Sequence, residues 1–301
     1  MLEFRPLTLE DKARIDRIVF SAGSLSSGYN FGNMYSWNHL FRHLIAFSGD
    51  RMTTMLLLDG QTCFSFPIGS GDLRAAILEL TDFAREKGFP LCLCGVEEEN
   101  CLLLEKLFPG RFKFEEDRPR ADYIYKAESL ASYSGKALHS KKNHCNRFER
   151  EHPHWRFVPI NAELVPLCLD MLERWQAENL DRLDESIAFE REAIYRAFSS
   201  YDKLGLEGGI LLDGSRALGF SAGELCCSDC FDVHFEKADL GVPGAYSVIC
   251  RETAKLALRN HPELKYINRE EDMGLEGLRK SKLSYKPEFM LKKYTVRCSD
   301  G

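Results

Sequence analysis

Two apolar runs, each broken by the tetrapeptide LLDG, set the pattern of this 301-residue chain. The first is MTTMLLLDGQTCFSF (Met52 to Phe66) and the second is LEGGILLDGSRALGF (Leu206 to Phe220). An Asp-Gly pair between apolar segments signals a β-hairpin, so each run predicts two antiparallel strands. Gly71 to Glu99 then reads as an amphipathic helix, a short apolar strand and an acidic loop. Gly244 to Asp272 repeats that order and lies over it without gaps at an offset of 173, with six of 29 positions identical. Glu97/Glu270 and Glu98/Glu271 are among the identities. The LLDG copies are only 154 residues apart, and the extra residues of the second copy fall in the ribbon AGELCCSDCFDVHFEKAD. Such a duplication is read before anything else because it fixes the architecture.

Each copy takes a strand through a helix to a neighbouring strand, which predicts mixed sheets flanked by helices. The fold class is α/β (α+β), as two tandem domains with a ligand cleft between them. Residues 1–130 form the first domain, 131–154 a basic connector helix and 155–301 the second domain. In the connector SKKNHCNRFEREHP, Ser140 is the expected cap and Pro153 the expected stop. Leu138, Cys145 and Phe148 fall at helical spacing on its apolar side.

Composition adds the setting. With 44% hydrophobic and 29% charged residues the chain is globular. MLEFRPLTLEDK carries acids too early for a signal peptide, and no apolar run approaches the roughly 20 residues of a membrane helix. Eleven cysteines without framework spacing predict a reduced, cytoplasmic protein, and the missing apolar run leaves at most a peripheral membrane contact as the expectation. The net charge of −6 is uneven. Residues 136–150 and 279–293 hold 11 of the 40 basic residues and 2 of the 46 acidic ones, which leaves 29 basic against 44 acidic elsewhere. Two local anion-seeking surfaces on an acidic protein follow.

The candidate chemistry lies in YINREEDMGLEGLRKSKLSYKP, Tyr266 to Pro287. Its acids match Glu97, Glu98 and Glu99 of the first copy, so capping is their first expected role, with Asp272 capping a helix from Met273. Glu270 is the candidate for proton transfer at the carboxyl end of a strand, and Tyr285 the second. Asn268, Arg269, Arg279, Lys280 and Lys282 are the candidates for binding a substrate carboxylate or phosphate. On the connector, Lys141, Lys142, Arg147 and Arg150 form a stripe suited to a phosphate backbone. ADLGVPGAY can bare backbone N–H groups to an anion but lacks a P-loop ending. CCSDC reads as a hairpin tip rather than a zinc site, an EF-hand pattern is missing, and no metal is expected. The aromatic stretch SGYNFGNMYSWNHLF is expected in the core, with Tyr29, Asn30 and Asn33 available to line a pocket.

The set YNFGNMYSW, GKALHSKKNHCNRFEREHP and INREEDMGLEGLRKSKLSYKP with the closing LKKY resembles, over nearly the whole chain, the family related to the C-terminal domain of phosphatidylglycerol lysyltransferases. The resemblance implies two tandem acetyltransferase-type (GNAT-like) folds, as in the Fem aminoacyltransferases. It also implies aminoacyl transfer from aminoacyl-tRNA to an amine or hydroxyl, on a small-molecule or peptide acceptor, with no cofactor. Lipid-modifying members carry N-terminal membrane helices, and none is read here. Two alternatives stand beside this function. One is an N-acetyltransferase using acetyl-CoA; the other is a non-catalytic binding module that keeps the fold. The sequence sets no oligomeric state.

Overall fold

A computed structural model of the chain describes residues 2–178 and 185–299. Both LLDG runs fold as hairpins. Strand Arg51–Leu58 turns at Asp59 and Gly60 into Gln61–Ser65, with Leu58 facing Gln61. Both turn residues have positive φ, 49° and 77°, the backbone that a type I′ turn needs and that Asp-Gly supplies. In the second copy Glu207–Asp213 meets Arg216–Cys227, and Asp213 faces Arg216. Its turn is therefore Gly214 and Ser215, one place later in the motif. The CCSDC tip is also a hairpin: Arg216–Cys227 runs into Cys230–Ala238, with Cys227 facing Cys230.

Helix Leu73–Glu86, capped by the Asp72 carboxylate on the Ala75 N–H, returns the chain so that Cys92–Glu97 lies parallel to Gln61–Ser65. Helix Ala245–Asn260 does the same for Tyr266–Asn268 beside Cys230–Ala238. All other strand pairs among the described residues are antiparallel, so both sheets are mixed.

The sheets do not divide the chain at residue 130. Strand Asp122–Lys126 lies in the second sheet, between Tyr266–Asn268 and Phe289–Leu291. Strand Lys293–Cys298 lies in the first, between Cys92–Glu97 and Phe112–Glu116. Each half lends one strand to the other. The linear division into 1–130 and 155–301 is corrected accordingly. Hairpins and helices are local, whereas the partner of a short apolar strand is chosen by long-range pairing that periodicity does not encode.

A buried ion pair stands at this exchange. Lys293 Nζ is 2.6 Å from Asp122 Oδ1, with side-chain exposures of 6% and 0%. Asp122 also accepts hydrogen bonds from Ser27 N–H, Ser27 Oγ and Asn268 Nδ2. The carboxylate is thus fully partnered, the condition under which a buried charge is tolerated. The halves also share a core: Ile15 and Ile18 of helix Lys12–Ala22 belong to one cluster with Met171, Phe198 and Phe220.

The connector helix is not a solvated bridge. It runs His139–Glu151 behind a 3-10 turn, Lys136–Leu138, and buries Leu138, Cys145 and Phe148 in the core of helix Ala245–Asn260. Leu138 holds the cap position, so Ser140 is not the cap; the lead-in turn moves the start of the helix two residues earlier. It ends two residues before Pro153, as the restriction on a pre-proline residue favours.

Candidate functional site

Alternation along strand Cys230–Ala238 puts Asp232 and His234 on one face. The 3-10 turn Ser27–Tyr29 and the helix Phe31–Ser36 bring Asn30 and Asn33 against that face. Beyond Asn268 the chain leaves the sheet abruptly, with Glu270 at φ 54°, a conformation unusual for a residue with a Cβ. Two contacts hold the turn. Asn268 Oδ1 accepts the Glu270 N–H at 2.7 Å, and Lys282 Nζ donates to the carbonyls of Arg269 and Glu271 at 2.5 Å each.

This geometry encloses His234 in acids. Its Nδ1 lies 3.1 Å from Glu270 Oε1 and 3.3 Å from Asp232 Oδ2, and its Nε2 lies 3.0 Å from Glu224 Oε1. The carboxylates are themselves held from the first half of the chain. Asn30 Nδ2 donates to Asp232 Oδ2 at 2.8 Å, Asn33 Nδ2 to Glu270 Oε1 at 2.7 Å and the Gly32 N–H to Glu224 Oε1 at 2.7 Å. A Cβ at Gly32 would lie 2.5 Å from Glu224 Oε1 and displace that carboxylate. Burial alone would lower the His234 pKa, but Asp232, Glu224 and Glu270 raise it well above the usual value. Burial, with Glu270 nearby, pushes the Asp232 carboxyl well up against the pull of His234.

Asp272 does not cap a helix from Met273. The helix is Glu276–Ser284, with Leu275 at the cap position, and Met273 and Gly274 both have positive φ. Asp272 is fully buried and is bound by Arg118 at 3.0 Å, Arg279 at 2.9 Å and the Tyr123 hydroxyl at 2.6 Å. Burial opposes its ionisation, but hydrogen bonds from Arg279 and Tyr123 outweigh that and hold the carboxyl far below the usual range. The guanidinium of Arg279 is therefore committed to the turn rather than left for a ligand.

A cavity of about 800 Å³ opens beside this turn, and five of the sequence candidates line it: Lys141, Arg269, Glu270, Lys282 and Tyr285. Most of it is built from the second half, while Asn33, Trp37, Leu40 and Phe41 supply a wall from the first. Tyr285 is buried between two cations, with Lys141 Nζ 3.7 Å and the Arg269 guanidinium 4.5 Å from its ring centroid. Burial lowers the Lys141 pKa and raises that of the Tyr285 phenol. Arg269 spends Nη2 on Glu236 at 2.6 Å, and its Nη1 is buried without a partner. The loop ending at Gly244 and the first residues of helix Ala245–Asn260, Tyr246 and Ser247, also face the cavity. Glu271 lines the same space with no side-chain hydrogen bond among the described residues, and burial raises its pKa against Lys293.

The remaining candidates lie elsewhere. Asn268 is buried beneath the turn, bonded to Asp122 and to the Leu25 carbonyl. Lys280, Lys142 and Arg150 are exposed, and Arg147 pairs with Glu151 on the outer face of the connector. Of the aromatic stretch, Tyr29, Phe31 and Met34 are core residues while Asn33 and Trp37 reach the cavity. Sequence reasoning missed Glu224, Asp232, His234 and Glu271. The ribbon that the second copy adds carries Glu224, Asp232 and His234, but only its pairing in the sheet shows that they share a face.

The family model described as "Phosphatidylglycerol lysyltransferase, C-terminal" matches residues 22–297. The chain belongs to that family. A structure of a conserved protein of unknown function from Bacteroides thetaiotaomicron is 35% identical to this phosphatidylglycerol lysyltransferase C-terminal family member, with a TM-score of 0.95, covering 99% of this chain and 100% of that one. The L-PGS structure from Bacillus licheniformis (TM-score 0.66, 16% identity, 97% of this chain and 92% of that one) shares the fold. FemX does too, with a TM-score of 0.63 and 11% identity over 97% of this chain and 96% of that one. A curated relative, uncharacterized protein MYCGA3080 of Mycoplasmoides gallisepticum, is 27% identical over 178 residues, which span 58% of this chain and 56% of the relative. The duplicated mixed sheets match the fold of L-PGS and FemX, and family and fold together suggest an acyl- or aminoacyl-transferase. Among the described residues no helix is long and apolar enough to cross a membrane.

Proposed function

We propose that this family member transfers an aminoacyl group from aminoacyl-tRNA to an amine or hydroxyl acceptor held in the cavity. The observation that carries the reading is the anion-seeking wall formed by Lys141, the unpartnered Nη1 of Arg269 and the open N-terminus of helix Ala245–Asn260. It stands beside a carboxylate wall, Glu270 and Glu271, across one cavity. A phosphate or ester end of the donor suits the first wall, and Trp37 and Phe41 offer rings on which a terminal base stacks.

In the transfer, the acceptor's nitrogen or oxygen attacks the ester carbonyl, and the carbon–oxygen bond to the tRNA ribose breaks. The acceptor's proton passes through a cavity carboxylate of the Glu270–Glu271 pair to the departing ribose oxygen. The protonated Tyr285 hydroxyl and Lys141 face the charge that develops on the carbonyl oxygen. Positioning supplies most of the rate, since the ester is already activated.

Filter binding with charged tRNA tests this reading. Salt-sensitive binding and transfer of the labelled aminoacyl group are expected, both lost in the Lys141→Glu/Lys142→Glu double variant. Absence of any tRNA binding at low salt would sink it. An acetyl-CoA donor is the second reading, favoured only by the position of the loop before Gly244 on the cavity. Calorimetry with acetyl-CoA decides between them, and binding without turnover of either donor points to a non-catalytic module.

A further inference from the structure

We infer that Asp232, His234 and Glu270 form a binding site for one divalent transition-metal ion that opens on the cavity. One ligand atom from each lies within 4.8 Å of the other two. His234 Nδ1 stands 3.1 Å from Glu270 Oε1 and 3.3 Å from Asp232 Oδ2. Ligand atoms about 2.0–2.2 Å from a zinc-like ion are separated by roughly 3.2–3.6 Å across a tetrahedral angle, so the edge to Asp232 already has that length and the edge to Glu270 would open slightly. Two acceptors compete for a nitrogen that can donate only one proton, an arrangement that a cation between them satisfies better.

The surroundings fit a metal-binding histidine. Its other nitrogen, Nε2, faces Glu224 Oε1 at 3.0 Å, the carboxylate–histidine pairing that fixes the ring and the tautomer for coordination through Nδ1. Asn30 and Asn33 orient the two ligand carboxylates, and the Gly32 N–H orients Glu224. The Asp232 carboxylate also has bonding capacity left over beside the Oδ2 that faces His234. Asp232 is fully buried, yet its Oδ1 has no hydrogen-bond partner, and neither does the buried Oδ1 of the adjacent Asn30. Two orphaned acceptor oxygens in one buried place are rare in folded proteins. Charge agrees: Glu224, Asp232 and Glu270 converge here, and Lys12, 3.7 Å from Glu224, is closer to Asp16 at 2.6 Å. A divalent ion with a neutral imidazole offsets two of the three negative charges. His234 and Glu270 both line the cavity, so a further coordination position can take water or an oxygen of a cavity ligand.

This inference stands apart from acyl transfer, because metal binding is read without turnover and either can fail alone. If both hold, the ion would polarise an oxygen of the bound ester, with Glu271 left to carry the proton. The test uses the full chain, treated with chelator, desalted and titrated with Zn²⁺ and Co²⁺ by calorimetry and visible absorption. One equivalent is expected, with a cobalt spectrum free of thiolate charge transfer. Asp232→Asn and Glu270→Gln should each weaken binding by about tenfold or more, and Asn33→Ala to a lesser degree. Glu97→Gln, the matching acid of the first copy, should leave it unchanged. If Asp232→Asn fails to fold, Glu270→Gln on the cavity wall carries the test. Failure of the wild type to bind one equivalent would overturn the inference. So would binding indifferent to Glu270→Gln, or a thiolate band placing the ion at Cys226, Cys227 and Cys230.

Discussion

The acidic turns at Glu97–Glu99 and Glu270–Asp272 occupy matching places in the two copies and do different work. In the first, the helix begins at once at Glu98, and Glu97 is hydrogen-bonded by Ser24 Oγ at 2.6 Å. In the second, a left-handed step at Glu270 delays the helix to Glu276, turns Glu270 toward His234 and sinks Asp272 among Arg118, Arg279 and Tyr123. The neighbouring strand explains the difference. Leu93 pairs with Phe64 as Tyr266 pairs with Cys230, but the first-copy strand ends at Ser65, where the apolar Phe66 follows and Ile68 turns back to pair with Met52, while the second continues through Asp232 and His234. Apolar residues close the first copy into a core; ionisable ones keep the second open as a site. An acidic motif takes its role from what the adjacent strand presents to it.

Lys293 couples the two turns, since its backbone pairs with Glu97 and its side chain with Asp122 beside Asn268. Lys293→Met should therefore give the largest effect, destabilising the protein by about 4 kcal/mol because Asp122 is left buried and unpaired. Urea denaturation reads it, and Lys292→Met, at the exposed neighbour, should leave the midpoint unchanged. Equal stability of both variants would show that the strand exchange does not depend on this pair.

Asp272→Asn should come next, at about 3 kcal/mol, while Glu99→Gln at the matching place in the first copy should stay within about 0.5 kcal/mol. Similar losses at both positions would erase the contrast between the turns. The pH dependence carries a sign. A carboxyl held below its unfolded value contributes stability that is complete above about pH 4 and is lost as pH falls toward its folded-state value. Between about pH 4 and pH 2 the wild type should thus lose more stability than Asp272→Asn.

Ile68→His puts an imidazole into the core shared by the two halves, with no carboxylates built around it. A loss of about 2 kcal/mol is expected, with no gain of ligand binding, because a lone buried imidazole finds no partners. A neutral result would mean that the strand position matters less than the turn. The smallest effect on stability is expected at Lys141→Ala, whose midpoint should barely move. Its tRNA affinity should instead fall, with the salt-dependence slope reduced by about one, whereas Arg147→Ala, paired with Glu151 on the outer face, should change neither.

Much of this was legible in the residues. The hairpins at LLDG, the two amphipathic helices and the order of elements follow from local patterns, and the repeat predicted two sheets of one plan. Lys141, Arg269, Glu270, Lys282 and Tyr285 were singled out and do line one cavity. Arg279 was not separable from Lys282 on paper. Both are basic residues of one helical turn, and only the position of Asp272 distinguishes a structural cation from one beside the cavity. Asp232 and His234 were hidden because a polar residue inside a strand carries no sign of which face it occupies until its neighbours are known.

The sequence by itself determined the duplication, the local elements and the excess of basic residues in two segments, because hydrophobic period and turn chemistry act over a few residues. Tertiary structure alone decided that each half lends a strand to the other, that the connector packs into a core and that three acids converge on one histidine. Those outcomes depend on pairings between residues as far apart as Asn33 and Glu270, and burial then fixes which charges pair and which ones face the cavity.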